Sequence, residues 1–546
     1  MTAFDSRRSL ITGIILFLGL PLALFAVTYR VGPTQSYHTL QEITGLLQPG
    51  DSALVDGDTT YPGDVVFTES GTPSLPIVIR GIRINGRRPV ITGGTNTVQF
   101  ESPWPCTTGA DHYRFEGFEV TGGSSRGIYH QADDLTIRDV LVRDCPYHGI
   151  LGADQGSGSC LMEFVEVRDC GSGSSRHQVY MATDEVNRPG SVFRMQFCYL
   201  HDARGGNNVK SRAERNEIYY NWVEGAYYHE LELIGPDPNG APPGWTPRLK
   251  REDSDVVGNV LRKRGTAYGN DSNFAVTRIG GDATGESHGR YRFVNNTIIS
   301  GTGAVFRCFD SLESVEMHNN VFYRPGGGVN IMRVVEANWT QDSAVIAGSN
   351  NWVYQGALNI PSVWTGTILG TNPGFRNYPT ADYRPDIGSP LINAANNAPQ
   401  SPPGFSFPQP LFPPAYLPPL HAAVTIAETR PVYGSLDIAA YEYTPTGILE
   451  DHNLFQQATV IARPQPFRSK VYFRGLNAAA GPVRLELFDC GGRKIRAINK
   501  IPNPAPAADV SWDGKDNQGR KMPAGVYLFV IQTGGVRAYG SVVKIE

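Results

Sequence analysis

The chain has 546 residues, a formal net charge of −4 and a pI near 6.3. This length predicts more than one domain, and the lack of a lysine- or arginine-rich run excludes a polybasic nucleic-acid-binding surface. Only 18% of the residues are charged, and the many glycines, tyrosines and phenylalanines are typical of turn-rich β structure.

Residues 1–30 have the pattern of an export segment. Arg7 and Arg8 precede an apolar run from Leu10 to Val27, and a basic start followed by such a run is typical of a signal peptide. The run is also just long enough to cross a bilayer as an uncleaved N-terminal membrane anchor. Both alternatives place the rest of the chain outside the cytoplasm, secreted or on the cell surface, where calcium and disulfides are available.

Residues 31–112 are predicted to form an N-terminal cap and the first coils of a repeating structure. Within YHTLQEITGLLQPGD, four apolar residues recur at helical spacing before Pro49-Gly50 ends the pattern: Leu40, Ile43, Leu46 and Leu47. A short amphipathic helix would cover the open end of a stack of strands.

Residues 113–397 repeat. Five segments share an asparagine followed by an apolar or aromatic pair: Asn221-Trp222-Val223, Asn259-Val260-Leu261, Asn296-Thr297-Ile298, Asn320-Val321-Phe322 and Asn351-Trp352-Val353. Three earlier segments fit the same slot without the asparagine: Phe118-Glu119-Val120, Val140-Leu141-Val142 and Val165-Glu166-Val167. Repeats of roughly 20–50 residues built from short β segments indicate a solenoid. The predicted fold class is all-β, a right-handed single-stranded parallel β-helix whose asparagines stack as a ladder of amides.

Cysteine spacing supports the repeat. The strings LTIRDVLVRDC (135–145) and CLMEFVEVRDC (160–170) align position for position, which puts Cys145 and Cys170 at equivalent places in consecutive coils. The two side chains can stack as small buried apolar groups or form a bridge.

The last part of the chain changes composition twice. Residues 398–446 include SPPGFSFPQPLFPPAYLPP (401–419), which is too proline-rich for a central strand and is predicted to be an extended strap over the solenoid, followed by a closing segment. Residues 447–546 alternate apolar and polar residues between Gly, Asn and Asp turns, which predicts a small antiparallel β-sandwich.

Two stretches resemble known families. The lead-in over 37–94 and the string LDIAAYEY (436–443) resemble secreted β-helix proteins of the pectate-lyase and chondroitinase-B type. The string WDGKDNQGRKMPAGVYLF (512–529) resembles the immunoglobulin-like module of the flagellar-hook-cap type and the sorting domains of the type IX secretion route. The second resemblance implies delivery or attachment through a secretion machinery.

A β-helix gathers outward side chains of successive strands into columns. If Val209 and Ser211 point inward, Lys210 and Arg212 point outward, and Glu230 and Glu232 do so in the next coil. The same alignment assigns outward positions to six more residues: His130, His177, Asp184, Arg278, Arg307 and Arg333. The sequence thus predicts one face on which cations flank a carboxylate pair.

The chemistry that fits this face is β-elimination on a uronate-containing polysaccharide. The reaction needs a base for the proton α to the sugar carboxylate and cations that neutralise that carboxylate. The catalytic candidates are Lys210 as base and Arg212 beside it. The candidates for substrate binding are His130, His177, Arg278, Arg307 and Trp245, the last in a loop (236–251) that overhangs the column. The candidate ligands for Ca²⁺ are Glu230, Glu232 and Asp184.

The string NVKSRA (208–213) resembles the chondroitinase-B and alginate-lyase type, and this resemblance implies that Lys210 is the base. The chain departs from the family pattern in two respects. The paired glutamates follow the lysine rather than precede it, and the position of the family's next-coil arginine falls near Leu231 and Glu232.

Three alternatives stand beside the lyase. The charges can form an ordinary cross-strand salt-bridge patch. A glycoside hydrolase would need carboxylates that converge across coils, and Asp133-Asp134 is the only adjacent aspartate pair before the central coils. A non-catalytic, surface-displayed solenoid that binds glycans, or serves as an adhesin or structural layer, needs no enzyme at all.

Overall fold

A computed structural model describes residues 26–102, 109–247, 249, 252–269, 273–282, 284–309, 312–334, 345–444, 456–457, 461–474, 483–489, 494–500, 510–533 and 536–545. The chain divides into two compact units, Met1–Thr444 and Pro445–Glu546. Most of the predicted export segment (1–25) lies outside the described residues. Within the described ranges, no helix combines the length and the apolar run that crossing a bilayer would require.

The first unit consists of three long parallel sheets. Sheet A contains the strands Thr28–Val31, Ser52–Asp56, Ile77–Ile82, Tyr113–Glu116, Leu135–Arg138, Cys160–Glu163, Val192–Gln196, Arg215–Tyr219, Asp253–Val257, Arg290–Val294, Ser314–His318 and Val345–Ser349. Sheet B contains Thr60–Pro62, Val90–Thr92, Glu119–Thr121, Leu141–Arg143, Glu166–Arg168, Tyr199–His201, Trp222–Glu224, Val260–Arg262, Thr297–Ile299, Val321–Tyr323, Trp352–Tyr354 and Ile368–Gly370. Sheet C contains Val65–Phe67, Asn96–Phe100, Arg126–His130, His148–Gly152, Val179–Ala182, Val209–Arg212, Leu231–Leu233, Thr277–Ile279, Ala304–Cys308 and Asn330–Val334.

Each coil passes through sheets A, B and C in turn, and each strand pairs in parallel with its equivalent in the next coil. Inward side chains form one continuous apolar core. On the strand Val209–Arg212, for example, Val209 and Ser211 are fully buried toward the core, and Lys210 is part of the outer surface. The predicted parallel β-helix is confirmed.

The turn from sheet A to sheet B explains the repeated asparagines. One residue in this turn has a positive φ in most coils, and asparagine or glycine tolerates that conformation best; among these residues are Phe164, Phe197, Tyr220, Asn295, Asn319 and Asn350. In the five coils from Asn221 to Asn351, the residue after it is the repeated asparagine, which is fully buried. Asn221 Nδ2 donates to Asn259 Oδ1 (2.9 Å), and the same bond recurs down the column to Asn351. Each side-chain oxygen also accepts a backbone N–H from the preceding coil, so the predicted ladder is confirmed.

The N-terminal end is covered by two short 3₁₀ helices, Leu40–Glu42 and Thr44–Leu46, rather than by the predicted amphipathic helix. Leu40, Ile43 and Leu47 are fully buried, while Leu46 remains 44% exposed. The apolar side chains therefore cover the first coil without a longer helix.

The proline-rich segment lies along the turns between sheets A and B, as a strap. The Ala415 N–H donates to the Tyr220 hydroxyl (2.9 Å), and Arg292 donates to the Leu411 carbonyl (3.1 Å). The closing segment then buries Ile438 and Tyr441 against sheet B. Two short antiparallel pairs complete this region: Phe375–Asn377 with Asp382–Pro385, and Tyr416–Leu417 with Glu428–Thr429.

The C-terminal unit has its own core and two sheets. The larger sheet has the order Gln456–Gln457, Val536–Lys544, Gly525–Thr533, Val483–Phe488 and Lys494–Lys500. The smaller sheet consists of Ile461–Arg463, Val471–Arg474 and Val510–Trp512. Pairing is antiparallel except at Gln456–Gln457, which agrees with the predicted small β-sandwich.

Cys145 and Cys170 are both buried and free. The stacked arrangement, the first of the two alternatives for these residues, is therefore the one that the structure contains.

Candidate active site on sheet C

One outward column runs the length of sheet C, and its register is continuous. Successive paired positions are Tyr129, Leu151, Tyr180, Lys210, Glu232, Arg278, Arg307 and Arg333. Neighbouring members are about 4.8 Å apart along the hydrogen-bonding direction. The predicted column of cations around a carboxylate is confirmed for Lys210, Glu232 and the three arginines.

An open groove of about 420 Å³ lies over the middle of this column. Its lining includes aromatic, histidine and charged side chains from five consecutive coils: His148, Ser174, Ser175, His177, Tyr180, Lys210, Arg212, Tyr228, Glu232, Asp237, Arg278, Asp282 and Thr284. The groove thus joins residues that are more than a hundred positions apart in the sequence.

Lys210 is the central cation of the groove. Its Nζ lies 2.8 Å from Asp282 Oδ2 and 3.2 Å from Glu232 Oε1. The ring of Tyr180, one coil earlier, is 5.7 Å away from the same nitrogen. The Lys210 side chain keeps 12% of its surface exposed, so the ammonium group is reachable from the groove.

Glu232 connects two cations across neighbouring strands. Its carboxylate pairs with Lys210 on one side and Arg278 on the other, and also accepts a hydrogen bond from Asn207. Burial by itself would raise the pKa of Glu232, but the attraction of Lys210 and Arg278 outweighs burial and lowers the pKa to about 2. Glu232 is therefore ionised in the folded protein at any ordinary pH.

Asp282 reaches the groove from a loop two coils later. Its Oδ1 accepts the N–H groups of Thr284 and Gly285 in a tight turn, and its Oδ2 contacts Lys210 and Arg212 (2.9 Å). Burial opposes ionisation, but these two cations hold the pKa of Asp282 well below its usual range.

Arg212 is almost fully enclosed, with 2% exposure. Its guanidinium donates to the Gly235 carbonyl (2.6 Å), to Asp282 and to the Thr284 hydroxyl (2.9 Å). Burial alone would lower the pKa of Arg212, but Tyr180 and Asp282 raise it. Arg212 therefore holds the Asp282 loop in place instead of presenting a free cation to the groove.

Two histidines lie where strands of sheet C begin, His148 as the first residue of its strand and His177 two residues before the next. The Nδ1 atoms of His148 and His177 accept the backbone N–H groups of His177 (3.1 Å) and Asn207 (2.9 Å). Because Nδ1 is an acceptor, the neutral ring carries its proton on Nε2. Burial lowers the pKa of His148 to about 4 and that of His177 well below its ordinary value. Both rings are neutral and can donate from Nε2.

Four predicted site residues lie elsewhere. His130 pairs with Phe100 and shares the inward side of its strand with Ile128, so the prediction that it faces outward is wrong. Asp184 is fully buried and caps its own loop, where it accepts N–H groups from Gly156 (2.8 Å) and Asn187 (2.8 Å).

Glu230 is also fully buried and is not part of the groove lining. It accepts hydrogen bonds from Asn208 (2.5 Å) and the Ala226 N–H (3.1 Å), and burial raises its pKa to about 7. Trp245 lies near Glu185 and lines neither of the two cavities described for the first unit.

The predicted calcium ligands do not converge. Glu232 is bound by two cations, Glu230 by the Asn208 side-chain amide and the Ala226 N–H, and Asp184 by the Asn187 N–H. In the part of the chain that the structure describes, no three His, Cys, Asp or Glu side chains are arranged to hold a metal ion. Glu230, Glu232 and Asp184 therefore do not fit a single Ca²⁺ ion.

The sequence interpretation missed Asp282. The string GGDATG (280–285) is a turn signal, because an aspartate side chain often binds the N–H groups that follow it. Nothing local indicates that the second carboxylate oxygen reaches back to Lys210.

Comparison with known proteins adds the following. The family model of the FlgD Ig-like domain matches residues 468–535, and no curated protein matches the chain. A solved pectate lyase, Pel9A, aligns over 77% of this chain and 97% of its own with 12% identity and a TM-score of 0.41. An alginate lyase from Paenibacillus sp. str. FPU-7 aligns over 63% and 99% with 13% identity and a TM-score of 0.38. Dimeric latent PorU from Porphyromonas gingivalis aligns over 16% and 9% with 22% identity and a TM-score of 0.14. By its own sheet topology the protein is a parallel β-helix protein, and residues 468–535 near its C-terminus match the FlgD Ig-like domain.

Proposed function

We propose that the protein is an exported polysaccharide lyase that cleaves a uronate-containing polysaccharide by β-elimination in the groove on sheet C. The observation that carries this proposal is the file of Lys210, Glu232 and Arg278 on consecutive strands, in register and open to the groove. A parallel β-helix offers such a groove along its axis, and a polymer can lie in it.

The reaction sets three requirements. A base removes the proton on the carbon next to the sugar carboxylate, and the bond from the neighbouring carbon to the leaving oxygen breaks as a carbon–carbon double bond forms. The leaving oxygen then takes up a proton. Neutralisation of the carboxylate makes the first proton acidic enough to be removed.

Lys210 is the proposed base, because its Nζ is the reachable nitrogen at the centre of the groove. Two carboxylates contact it in the free protein. Asp282 belongs to a loop, so displacement of this loop by substrate would free the amine from one of the two. Arg212 is a positioning residue in this scheme, because it anchors the same loop.

Arg278 is the proposed partner of the sugar carboxylate. It lies two strands from Lys210 and one strand from Arg307, and its guanidinium stacks over Tyr228 with 5.6 Å to the ring centroid. Arginine binds a carboxylate with two parallel hydrogen bonds. The neutral His177, with its proton on Nε2, can donate a hydrogen bond to a sugar oxygen.

The pKa values argue against a hydrolase that uses Glu232 or Asp282 as its general acid. Inverting and retaining glycosidases need one carboxyl group that is protonated at working pH. Glu232 and Asp282, the two carboxyl groups that contact Lys210, both have pKa values far below the ordinary range. Neither can act as the general acid.

The remaining alternative is a non-catalytic glycan-binding or adhesin solenoid. Both alternatives are tested by the ultraviolet absorbance of unsaturated uronate products on alginate, pectate and glycosaminoglycans, with calcium added or chelated. We expect absorbance to rise on at least one polymer, and K210A to abolish the rise while K470A, in the C-terminal unit, does not. Silence on every polymer together with retained binding would support the glycan-binding alternative.

Calcium dependence stays a prediction, and no step proposed above depends on the ion. For the C-terminal unit we propose attachment or sorting by a secretion machinery, on the strength of the FlgD Ig-like match to residues 468–535. Deletion of 447–546 should leave activity in the first unit and change where the protein accumulates in cell fractions.

A further inference from the structure

A second cavity, of about 360 Å³, continues the groove along sheet C. Tyr228 lines both cavities and so forms their common wall. The floor of the second cavity is the next part of the same column, Arg307 and Arg333, on the paired strands Ala304–Cys308 and Asn330–Val334. A polymer that lies along the groove would therefore pass over this cavity next.

The second cavity differs from the groove in charge. No aspartate or glutamate lines it. In the described residues, neither Arg307 nor Arg333 is within ion-pair distance of a carboxylate, whereas Arg278 pairs with Glu232. Arg307 contacts the ring of Phe309 (5.2 Å), and its Nε is buried with no hydrogen-bond partner among the described residues.

Arg278, Arg307 and Arg333 lie on adjacent strands and repel one another. Like charges directly opposite on paired strands are destabilising, and Glu232 neutralises only Arg278. An anion bound between Arg307 and Arg333 would reduce the repulsion between these two arginines and accept hydrogen bonds from their unpaired donors.

The other walls of the cavity suit a sugar ring. Tyr228 and Phe274 contact each other edge to face, with 4.2 Å between ring centroids, and aromatic faces pack well against the apolar face of a sugar. Asn330 supplies an amide at the opposite side, where its Oδ1 accepts from Asn359 (2.9 Å). Cation, aromatic wall and amide together match an acidic sugar better than a free inorganic anion.

We infer that the second cavity is an anion subsite, in which Arg307 and Arg333 bind the carboxylate of a second uronate on the same polymer chain. The identification of the ligand as a uronate rests on the proposed function. The subsite requires an acidic sugar beyond the one that reacts, and so makes the protein selective for runs of uronate over isolated ones.

Binding without turnover tests the subsite. Titration calorimetry would use tetrasaccharides of galacturonate and of alginate, with their carboxyl-reduced forms as neutral controls, in the K210A background if the wild type cleaves them. We expect R307A/R333A to weaken binding by about 10- to 100-fold. The matched control R30A/R324A removes two arginines outside both cavities and should change binding by less than about twofold. R307K/R333K should recover part of the loss, because charge remains but the bidentate geometry does not.

Two results would overturn the inference: R307A/R333A with the affinity of the control, or carboxyl-reduced tetrasaccharides that bind as tightly as the acidic ones. Equal melting temperatures of the double variants would show that both fold. If no polymer is cleaved but R307A/R333A still loses binding, the subsite stands and the proposed reaction fails. If cleavage occurs and binding is unchanged, the reaction stands and the subsite fails.

Discussion

The groove and the second cavity share one column of sheet C but handle charge in opposite ways. In the groove, Lys210, Arg212 and Arg278 each contact a carboxylate of the protein. In the second cavity, Arg307 and Arg333 contact none among the described residues. A paired network fixes side chains in place before substrate arrives, whereas unpaired arginines keep their attraction for an anion from outside. The comparison indicates that the groove carries out the reaction and that the second cavity binds a neighbouring part of the substrate.

The largest expected effect is on catalysis. Removal of a general base costs about 10²- to 10⁴-fold in rate, so K210A should lose that much activity in the absorbance assay. R333A should lose affinity for long substrates but keep turnover at saturation. Full activity of K210A would remove Lys210 from the mechanism, even if the protein remains a lyase.

The second-largest effect is on the free energy of unfolding, which should fall for a variant in the groove but not for one in the second cavity. E232Q leaves Lys210 and Arg278 without their shared carboxylate, and breaking a buried ion pair lowers the free energy of unfolding by about 3–5 kcal/mol. R333A should change the free energy of unfolding by less than about 0.5 kcal/mol, because its side chain is exposed and unpaired. Urea unfolding measures both. Equal losses of stability in E232Q and R333A would contradict the difference in charge pairing between the two cavities.

The loss of stability in E232Q relative to wild type should depend on pH. The pKa of Glu232 is lowered to about 2 in the folded state, against about 4.3 in an unfolded chain. Its ionised form therefore contributes stability that is fully present above pH 4.3 and disappears as the pH falls toward 2. Wild type and E232Q should converge in acid and differ most at neutral pH. A deficit that grows in acid would contradict the assigned ion pairs.

The smallest effect concerns carboxylates without cations, outside both cavities. Burial and Glu252 raise the pKa of Glu185, and burial raises the pKa of Glu252. A folded protein that contains an acid with a raised pKa loses stability as the pH rises above the pKa of that acid in the unfolded chain, about 4.3. E185Q should therefore melt a few degrees higher than wild type at pH 8 and at about the same temperature at pH 5. Thermal melts at both values check the sign.

The sequence predicted this fold well because its periodic features are local. The asparagine slot and the alternation in NVKSRA each depend on neighbouring residues, and parallel pairing then carries Lys210, Glu232 and Arg278 into one column. The failures fall where alternation ends. Glu230 comes before the strand Leu231–Leu233 begins and belongs to a turn, where side chains no longer alternate.

Two other misplacements have similar physical reasons. Asp184 follows the end of the strand Val179–Ala182, so its direction is set by its loop. His130 has the inward phase of Ile128, because Tyr129 and not His130 pairs into the column of Lys210, so the alignment was one residue out of register there. Asp282 was missed because its partner lies 72 residues away, a separation that no short pattern encodes.

The asparagine ladder has a consequence for how this architecture can diversify. The asparagines from 221 to 351 fix one turn in each of five consecutive coils, although the intervals between them vary from 24 to 38 residues. Many of the additional residues in the longer intervals lie in the connections from sheet C to the next strand of sheet A, at 234–252 and 280–289. Segments that border the groove can therefore be lengthened or exchanged without disturbing the winding. A loop grafted at either place should alter which polymers bind and leave the asparagine ladder intact.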